Sequence, residues 1–243
     1  MLAAFDGYNK ECKRIMTTIA TALQAVRDRI VAAASAAGRS AAEVRLIAVS
    51  KTFGPAAITQ AHDAGQLAFG ENYVQEALGK IAALADLMLE WHYLGPIQSN
   101  KTRQIAQAFH WVHSVDRLKI AERLASARGG APPLEILLQV NISGEPSKSG
   151  ARPEDMLALA QAVSGLSGLR LRGIMAIPEP TSDPGLQRTR FRQVRQLRDD
   201  IVTRGIPLDM LSMGMSDDLE AAIAEGATMV RVGRAIFGER LAH

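Results

Sequence analysis

Short runs rich in apolar, β-branched and aromatic residues recur along this chain, and stretches with helical spacing separate them. The runs are Arg45–Ser50, Leu67–Gly70, Trp91–Leu94, Trp111–Ser114, Leu134–Asn141, Leu169–Ala176, Leu208–Ser212 and Thr228–Val232. Helical patterns fill the gaps, for example at Pro55–Ala64, Asn72–Leu87, Asp116–Ala127, Pro153–Val163 and Phe191–Arg204. Strand and helix alternating eight times predict an α/β protein, a parallel (β/α)8 TIM barrel. A doubly wound open sheet is the alternative, because short apolar runs do not reveal closure.

Ahead of the first strand, Asn9–Ala37 reads as one amphipathic helix or two joined ones. Ile15, Ile19, Leu23, Val26 and Ile30 fall on one face, and Gly38 is a natural stop. We therefore expect an N-terminal helical segment over 1–38 packed on the barrel, and one domain over 1–243. No Pro/Ser-rich linker or shift in composition argues otherwise. The loosest segments are Pro178–Gly185, with its three prolines, and Gly144–Gly150. Both follow strand ends, the face of a barrel that carries active sites.

Composition narrows the partners. A chain of 243 residues that is 47% hydrophobic can bury a substantial core, and at 5% aromatic content aliphatic residues must build it. The net charge of +3 is too weak to argue for nucleic acid without a localised patch. The run Arg188, Arg190, Arg192, Arg195, Arg198 reads as the solvated face of a helix whose apolar side is Phe191, Val194, Leu197 and Ile201. The single cysteine, Cys12, excludes an intramolecular disulfide and fits a reducing compartment. No apolar stretch approaches the roughly 18 residues of a membrane span, and the start lacks a signal pattern. A soluble, cytoplasmic protein without membrane or nucleic-acid partners is expected. No Cys/His/Glu set has zinc spacing, so no metal is expected. His110 and His113 should point to opposite faces of a strand, and His92 suits a satisfied core position.

Six positions carry chemistry. Lys51 stands where the first strand gives way to the turn-like Thr52-Phe53-Gly54-Pro55. A lysine there emerges from a rigid element into a cleft, and burial or a nearby cation would free its amine for Schiff-base formation. The plain alternative is a solvated loop lysine. Arg231 alternates with Val230 and Val232, so if the valines face the helices the guanidinium points into the barrel and needs a partner there. An internal ion pair with a strand carboxylate would be one. Ser212 ends the seventh strand, and Gly233 and Arg234 follow the eighth, in the region where barrels of this kind often bind phosphate. Ser216 reads as an N-cap with Asp217 and Asp218 in the first turn, and ordinary capping explains it as well. An amine at one end and backbone N–H donors at the other suit a ligand with both an aldehyde and a phosphate. Pyridoxal 5′-phosphate (PLP) is such a ligand. A guanidinium facing its ring nitrogen would keep that nitrogen unprotonated and the ring a poor electron sink.

From about Val44 to Gly238 the chain also resembles the pyridoxal phosphate homeostasis proteins. The landmarks are Ala48-Val49-Ser50-Lys51-Thr52, Phe69-Gly70-Glu71-Asn72-Tyr73-Val74-Gln75-Glu76 and Trp91-His92-Tyr93-Leu94-Gly95-Pro96-Ile97-Gln98-Ser99-Asn100-Lys101. Further on come His113-Ser114-Val115-Asp116-Arg117, Val140-Asn141-Ile142-Ser143, Ser147-Lys148-Ser149-Gly150, Gly173-Ile174-Met175-Ala176-Ile177-Pro178 and Leu211-Ser212-Met213-Gly214-Met215-Ser216-Asp217-Asp218. The resemblance implies a barrel like the cofactor domain of alanine racemase, with PLP on Lys51 as a Schiff base and Asn72 in the cofactor site. It implies a carrier or buffer of PLP in intracellular vitamin B6 homeostasis, without efficient turnover. PLP, other B6 vitamers and PLP-dependent apo-enzymes are then the expected partners of a monomer. Arg234 stands where many members have Thr or Ser, which leaves its N–H and guanidinium as the contacts it would offer.

The rival is a PLP-dependent amino-acid racemase. A racemase of similar fold uses a second domain, and a tyrosine from a partner subunit faces its lysine. Here the sequence runs ten residues past Gly233 and holds only Tyr8, Tyr73 and Tyr93, which favours the carrier. A class I aldolase acting through Lys51 would need no phosphate-binding glycines.

Overall fold

The computed structural model describes residues 2–145 and 149–238, with the side chains of the first helix described from Ile19 onward. Ser147 and Lys148 of the polar loop, and the side chains of Tyr8, Cys12 and Ile15, lie outside the described residues.

Helix α1 (Leu2–Ala36) leads into β1 (Arg45–Val49), α2 (Pro55–Asp63), β2 (Ala68–Glu71), α3 (Val74–Ala83) and β3 (Glu90–Tyr93). Next come α4 (Thr102–Ala108), β4 (Trp111–Val115), α5 (Leu118–Arg128), β5 (Leu134–Val140), α6 (Met156–Ser164) and β6 (Leu169–Ala176). The chain continues with α7 (Pro184–Thr203), β7 (Met210–Ser212), α8 (Leu219–Ala224), β8 (Met229–Val232) and α9 (Arg234–Phe237). All strands run parallel in chain order. The sheet closes where β8 pairs with β1, through Arg45↔Met229, Leu46↔Val230, Ile47↔Arg231 and Ala48↔Val232. The architecture is a (β/α)8 TIM barrel with an N-terminal helix, and closure settles the choice against an open sheet.

Side-chain alternation along the strands builds two layers. Ile47, Ala68, Trp111, Leu137, Met175 and Met229 pack together inside the barrel. Leu46, Ala48, Phe69, Val112, Ile136, Leu138, Ile174, Val230 and Val232 join the larger core shared with the helices. Helix α1 adds Ile19, Leu23, Val26 and Ile30 to that core, and Gly38 ends the connecting turn with φ +66°.

Three boundaries differ from the sequence pattern. Helix α7 starts at Pro184, so the loop expected over Pro178–Gly185 stops at Asp183. Asp183 Oδ1 accepts from the N–H groups of Gly185 (2.8 Å) and Leu186 (3.4 Å), and proline is well tolerated in a first helical turn, where no N–H donor is missed. Helix α3 starts at Val74, because Asn72 lies in a bend and Tyr73 stays extended. Ser216 is not an N-cap. Residues 216–218 form a turn, and Asp218 precedes α8. The arginine run is also less solvated than its pattern suggests. Arg188, Arg192 and Arg195 converge on the buried Glu225, whose own charge they compensate. Among the described residues, no helix is long and apolar enough to cross a membrane, and no group of three or more His, Cys, Asp or Glu could hold a metal ion.

Candidate functional site

Lys51 stands two residues past the end of β1 and is half-buried. Its neighbour Thr52 has φ +70°, a left-handed conformation that is strained for a β-branched residue. Surrounding bonds hold it there. The Thr52 N–H donates to Glu76 Oε1 at 2.6 Å, and Lys80 Nζ donates to the same oxygen at 2.5 Å. Lys80 Nζ also donates to Glu71 Oε1 (2.7 Å) and to the Ser50 carbonyl (2.8 Å), while Ser50 Oγ donates to Glu71 Oε1 (2.6 Å). Burial pushes the Glu71 carboxyl above its ordinary value, against the pull of Lys80 and Ser50. One buried cluster therefore grips the backbone on both sides of Lys51. Sequence reasoning missed it, although Glu76 and Lys80 at i,i+4 on α3 were a visible signal.

On the neighbouring strand, Arg231 points into the barrel from β8. Its NH1 donates to Ser212 Oγ at 2.7 Å and its NH2 to the Ala176 carbonyl at 2.9 Å. The expected alternative, an ion pair with a strand carboxylate, is replaced by these neutral acceptors. Burial pushes the guanidinium down to about 10, opposed by the charge of Asp218, so it stays protonated at neutral pH. Ser212, expected at a phosphate, is fully buried and spends its hydroxyl on Arg231 and His113 instead. Its side chain belongs to the barrel interior.

Gly233 ends β8 and opens α9. A Cβ there would sit 3.0 Å from the Val49 carbonyl oxygen, so glycine permits the close approach of β8 to β1 beside Lys51. Arg234 NH2 donates to Asp217 Oδ2 at 2.6 Å in an exposed ion pair at the cavity mouth. Phe53 and Phe237 stack with centroids 5.2 Å apart, tying the Lys51 turn to α9. Arg29 of α1 donates to the Ser216 carbonyl at 2.9 Å and pairs with Glu220, holding the Ser216 turn from outside. On the far wall, a Cβ at Gly95 would lie 2.0 Å from the Asn72 carbonyl oxygen, so only glycine lets the loop after β3 reach Asn72.

These elements enclose a cavity of about 620 Å³ at the C-terminal mouth of the barrel, within the range of about 300–1,000 Å³ typical of small-molecule sites. Lys51, Asn72, Ser216, Arg231, Gly233 and Arg234 all line it, with Val49, Phe53, Leu94, Ile177 and Met215 as apolar wall. Ser212 alone of the residues singled out in the sequence does not. Residues that carry an amine (Lys51) and a fixed guanidinium (Arg231) thus line one space with Gly233 and Arg234.

The histidines matter more than their spacing suggested. His92 and His113 are fully buried, and His92 Nδ1 lies 2.9 Å from His113 Nε2. Burial lowers both, His113 well below the ordinary value, with neighbouring positive groups adding to the effect on His113. The unfolded chain therefore binds more protons than the folded one as pH falls through 6.5, and stability is lost on acidification. Comparing the pH slope of unfolding free energy in wild type and His113→Gln isolates this from the opposing effect of Glu71. Between about pH 6.5 and 5 the wild-type slope should be steeper, by up to about 1.4 kcal/mol per pH unit. Chemical denaturation at stepped pH measures it, and equal slopes would place His113 outside this linkage.

Residues 21–241 match the family model of the alanine racemase N-terminal domain, the class of barrel that this fold and cavity define. A curated relative from Pseudomonas aeruginosa, named pyridoxal phosphate homeostasis protein, is 62% identical over 226 residues, covering 93% of this chain and 97% of its own. One of the same name from Escherichia coli K12 is 52% identical over 229 residues, covering 93% and 98%. The structure of PipY from Synechococcus elongatus PCC7942, with PLP bound, superposes with a TM-score of 0.80 at 39% identity, over 90% of this chain and all of PipY. The chain belongs to the family of pyridoxal phosphate homeostasis proteins.

Proposed function

We propose that this protein binds PLP on Lys51 as a Schiff base and carries or buffers it in vitamin B6 homeostasis, without efficient turnover. The shared cavity carries this reading: the Lys51 chain, the fixed Arg231 guanidinium and the Gly233–Arg234 backbone all face one space. The bound group would supply a reactive aldehyde, a ring able to accept electrons and a phosphate. The Lys51 amine would condense with the aldehyde, with loss of water. Arg231 would face the ring nitrogen and keep a proton off it, which would blunt the electron demand that racemisation requires. The N–H groups of Gly233 and Arg234 and the Ser216 turn would hold its phosphate, and Asn72 would lie beside its ring. The relatives' names and the PLP-bound PipY support the choice of ligand.

The residues lining the cavity also argue against a racemase. Inversion at an α-carbon needs a base on each face, and a well-placed base contributes about 10²–10⁴-fold. Among the described residues no tyrosine lines the cavity. Tyr93 is buried, pushed up to about 12 by that burial, and its hydroxyl donates to the Pro96 carbonyl at 3.1 Å. Tyr73 is exposed. The test combines α-carbon deuterium exchange of common amino acids with delivery of bound PLP to an apo-enzyme. Delivery without stereoinversion is expected. Rapid stereoinversion of any amino acid, lost in Lys51→Ala, would replace the carrier with a racemase.

Asp217 works against the phosphate by pairing with Arg234. Asp217→Asn should free that guanidinium and remove a like charge. The pair is exposed, so PLP binding should tighten by only about two- to fivefold. An absorbance titration measures this, and weaker binding would mean Asp217 supports the site.

A further inference from the structure

Polar side chains form one unbroken row from the cavity floor to the opposite mouth of the barrel. Arg231 NH1 meets Ser212 Oγ at 2.7 Å, Ser212 Oγ meets His113 Nδ1 at 2.9 Å, and His113 Nε2 meets His92 Nδ1 at 2.9 Å. His92 Nε2 meets Glu90 Oε1 at 2.5 Å, and Glu90 pairs with Arg45 NH1 at 2.8 Å. Glu90 and Arg45 are the first residues of β3 and β1, at the N-terminal mouth, whereas Arg231 lines the cavity at the C-terminal mouth.

The row has a single consistent polarity. Burial opposes ionisation of Glu90, but the hydrogen bond from His92 and the charge of Arg45 outweigh it and hold the carboxyl below its ordinary value. A carboxylate only accepts, so His92 must carry its proton on Nε2. Both imidazoles are neutral at pH 7, being lowered by burial. His92 Nδ1 is then a lone pair, and His113 Nε2 must be the donor to it. His113 Nδ1 is therefore also a lone pair, and it takes the Ser212 hydroxyl proton. With that proton committed, Ser212 Oγ presents its lone pair to Arg231. Trp111 stacks on His92 at 5.6 Å and 12°, which keeps that ring in plane.

We propose that His92, His113 and Ser212 are positioning residues for Arg231, forming a directional hydrogen-bond row through which the charge of Glu90 fixes the guanidinium at the cavity floor. The cofactor-side consequence rests on the reading of the cavity as a PLP site. Hydrogen bonds aligned head to tail reinforce one another, so the far anion strengthens the acceptor that Arg231 sees. Glu90→Gln replaces the obligate acceptor with an amide that can donate or accept. The row then has two allowed directions, and in the reversed one Ser212 turns its proton away from His113.

Nitrogen NMR of histidine-labelled protein without cofactor tests the row by itself. Wild type should show two neutral histidines in the Nε2–H form at about pH 7. Glu90→Gln should mix the two tautomers in both. Either buried ring in the Nδ1–H form in wild type, or tautomers unmoved by Glu90→Gln, would overturn the proposal. The second arm reads the loaded protein. Glu90→Gln, although at the other end of the barrel, should shift the visible band of bound PLP and weaken binding about three- to tenfold, the worth of one hydrogen bond. Mixed tautomers with an unchanged band and affinity would overturn the coupling to the cavity. If wild type took up no PLP at all, the functional reading would fail while the tautomer result still decided the row.

Discussion

Lys51→Ala should give a folded, colourless protein. The backbone around Lys51 is held by Ser50, Glu71, Glu76 and Lys80 through main-chain groups and through side chains other than its own. Truncating one half-buried lysine should therefore change stability by only about 0.5 kcal/mol. Cofactor binding should change far more, because the covalent linkage has no substitute. Lys80 is nearby in sequence space but is buried and engaged with two carboxylates, so it is no replacement amine. The visible band of the PLP-loaded protein should vanish while the thermal melt stays near that of wild type. A retained band in Lys51→Ala would move the linkage to another lysine.

Gly233→Asp carries the second large effect. Its Cβ would press on the Val49 carbonyl oxygen at 3.0 Å, and its carboxylate would stand at the wall where the phosphate is proposed to lie, in addition to Asp217. Charge-assisted hydrogen bonds contribute about 1.5–3 kcal/mol each, so losing one weakens binding about ten- to a hundredfold. Repulsion adds to that loss, and a total of at least about a hundredfold is expected. Gly233→Ala separates the causes, since it keeps the steric change without the charge and should lose about tenfold or less. Calorimetry of PLP binding to each variant gives the comparison. Wild-type affinity in Gly233→Asp would move the phosphate elsewhere.

The barrel was legible because its strands are short apolar runs at regular spacing, and seven of the eight observed strands begin or end within one residue of both ends of the sequence-read runs. The exception is β7, which starts at Met210 because Leu208 packs ahead of the sheet. Closure was not legible, since it depends on β8 meeting β1 across almost the whole chain. Position on a strand also predicted that Arg231 faces inward, because alternation with Val230 and Val232 leaves it no other side. The same alternation could not say what the guanidinium meets. Ser212 shows the limit: it ends the right strand for a phosphate contact, but its side chain turns into the interior toward His113, and that partner lies 99 residues away. His92 and His113 were unremarkable in sequence for the same reason, as their contact joins adjacent strands across a helix. Glu71, Glu76 and Lys80 belonged to a recognisable motif whose physical purpose, gripping the strained Thr52 turn, only appears when β1, β2 and α3 are seen together.

The most direct measurement is borohydride reduction of the PLP-loaded protein followed by proteolysis and mass mapping of the fixed adduct. The added mass is expected on the peptide carrying Lys51, and on no other lysine at comparable yield. An adduct mapped instead to Lys80, Lys101 or Lys148 would contradict it.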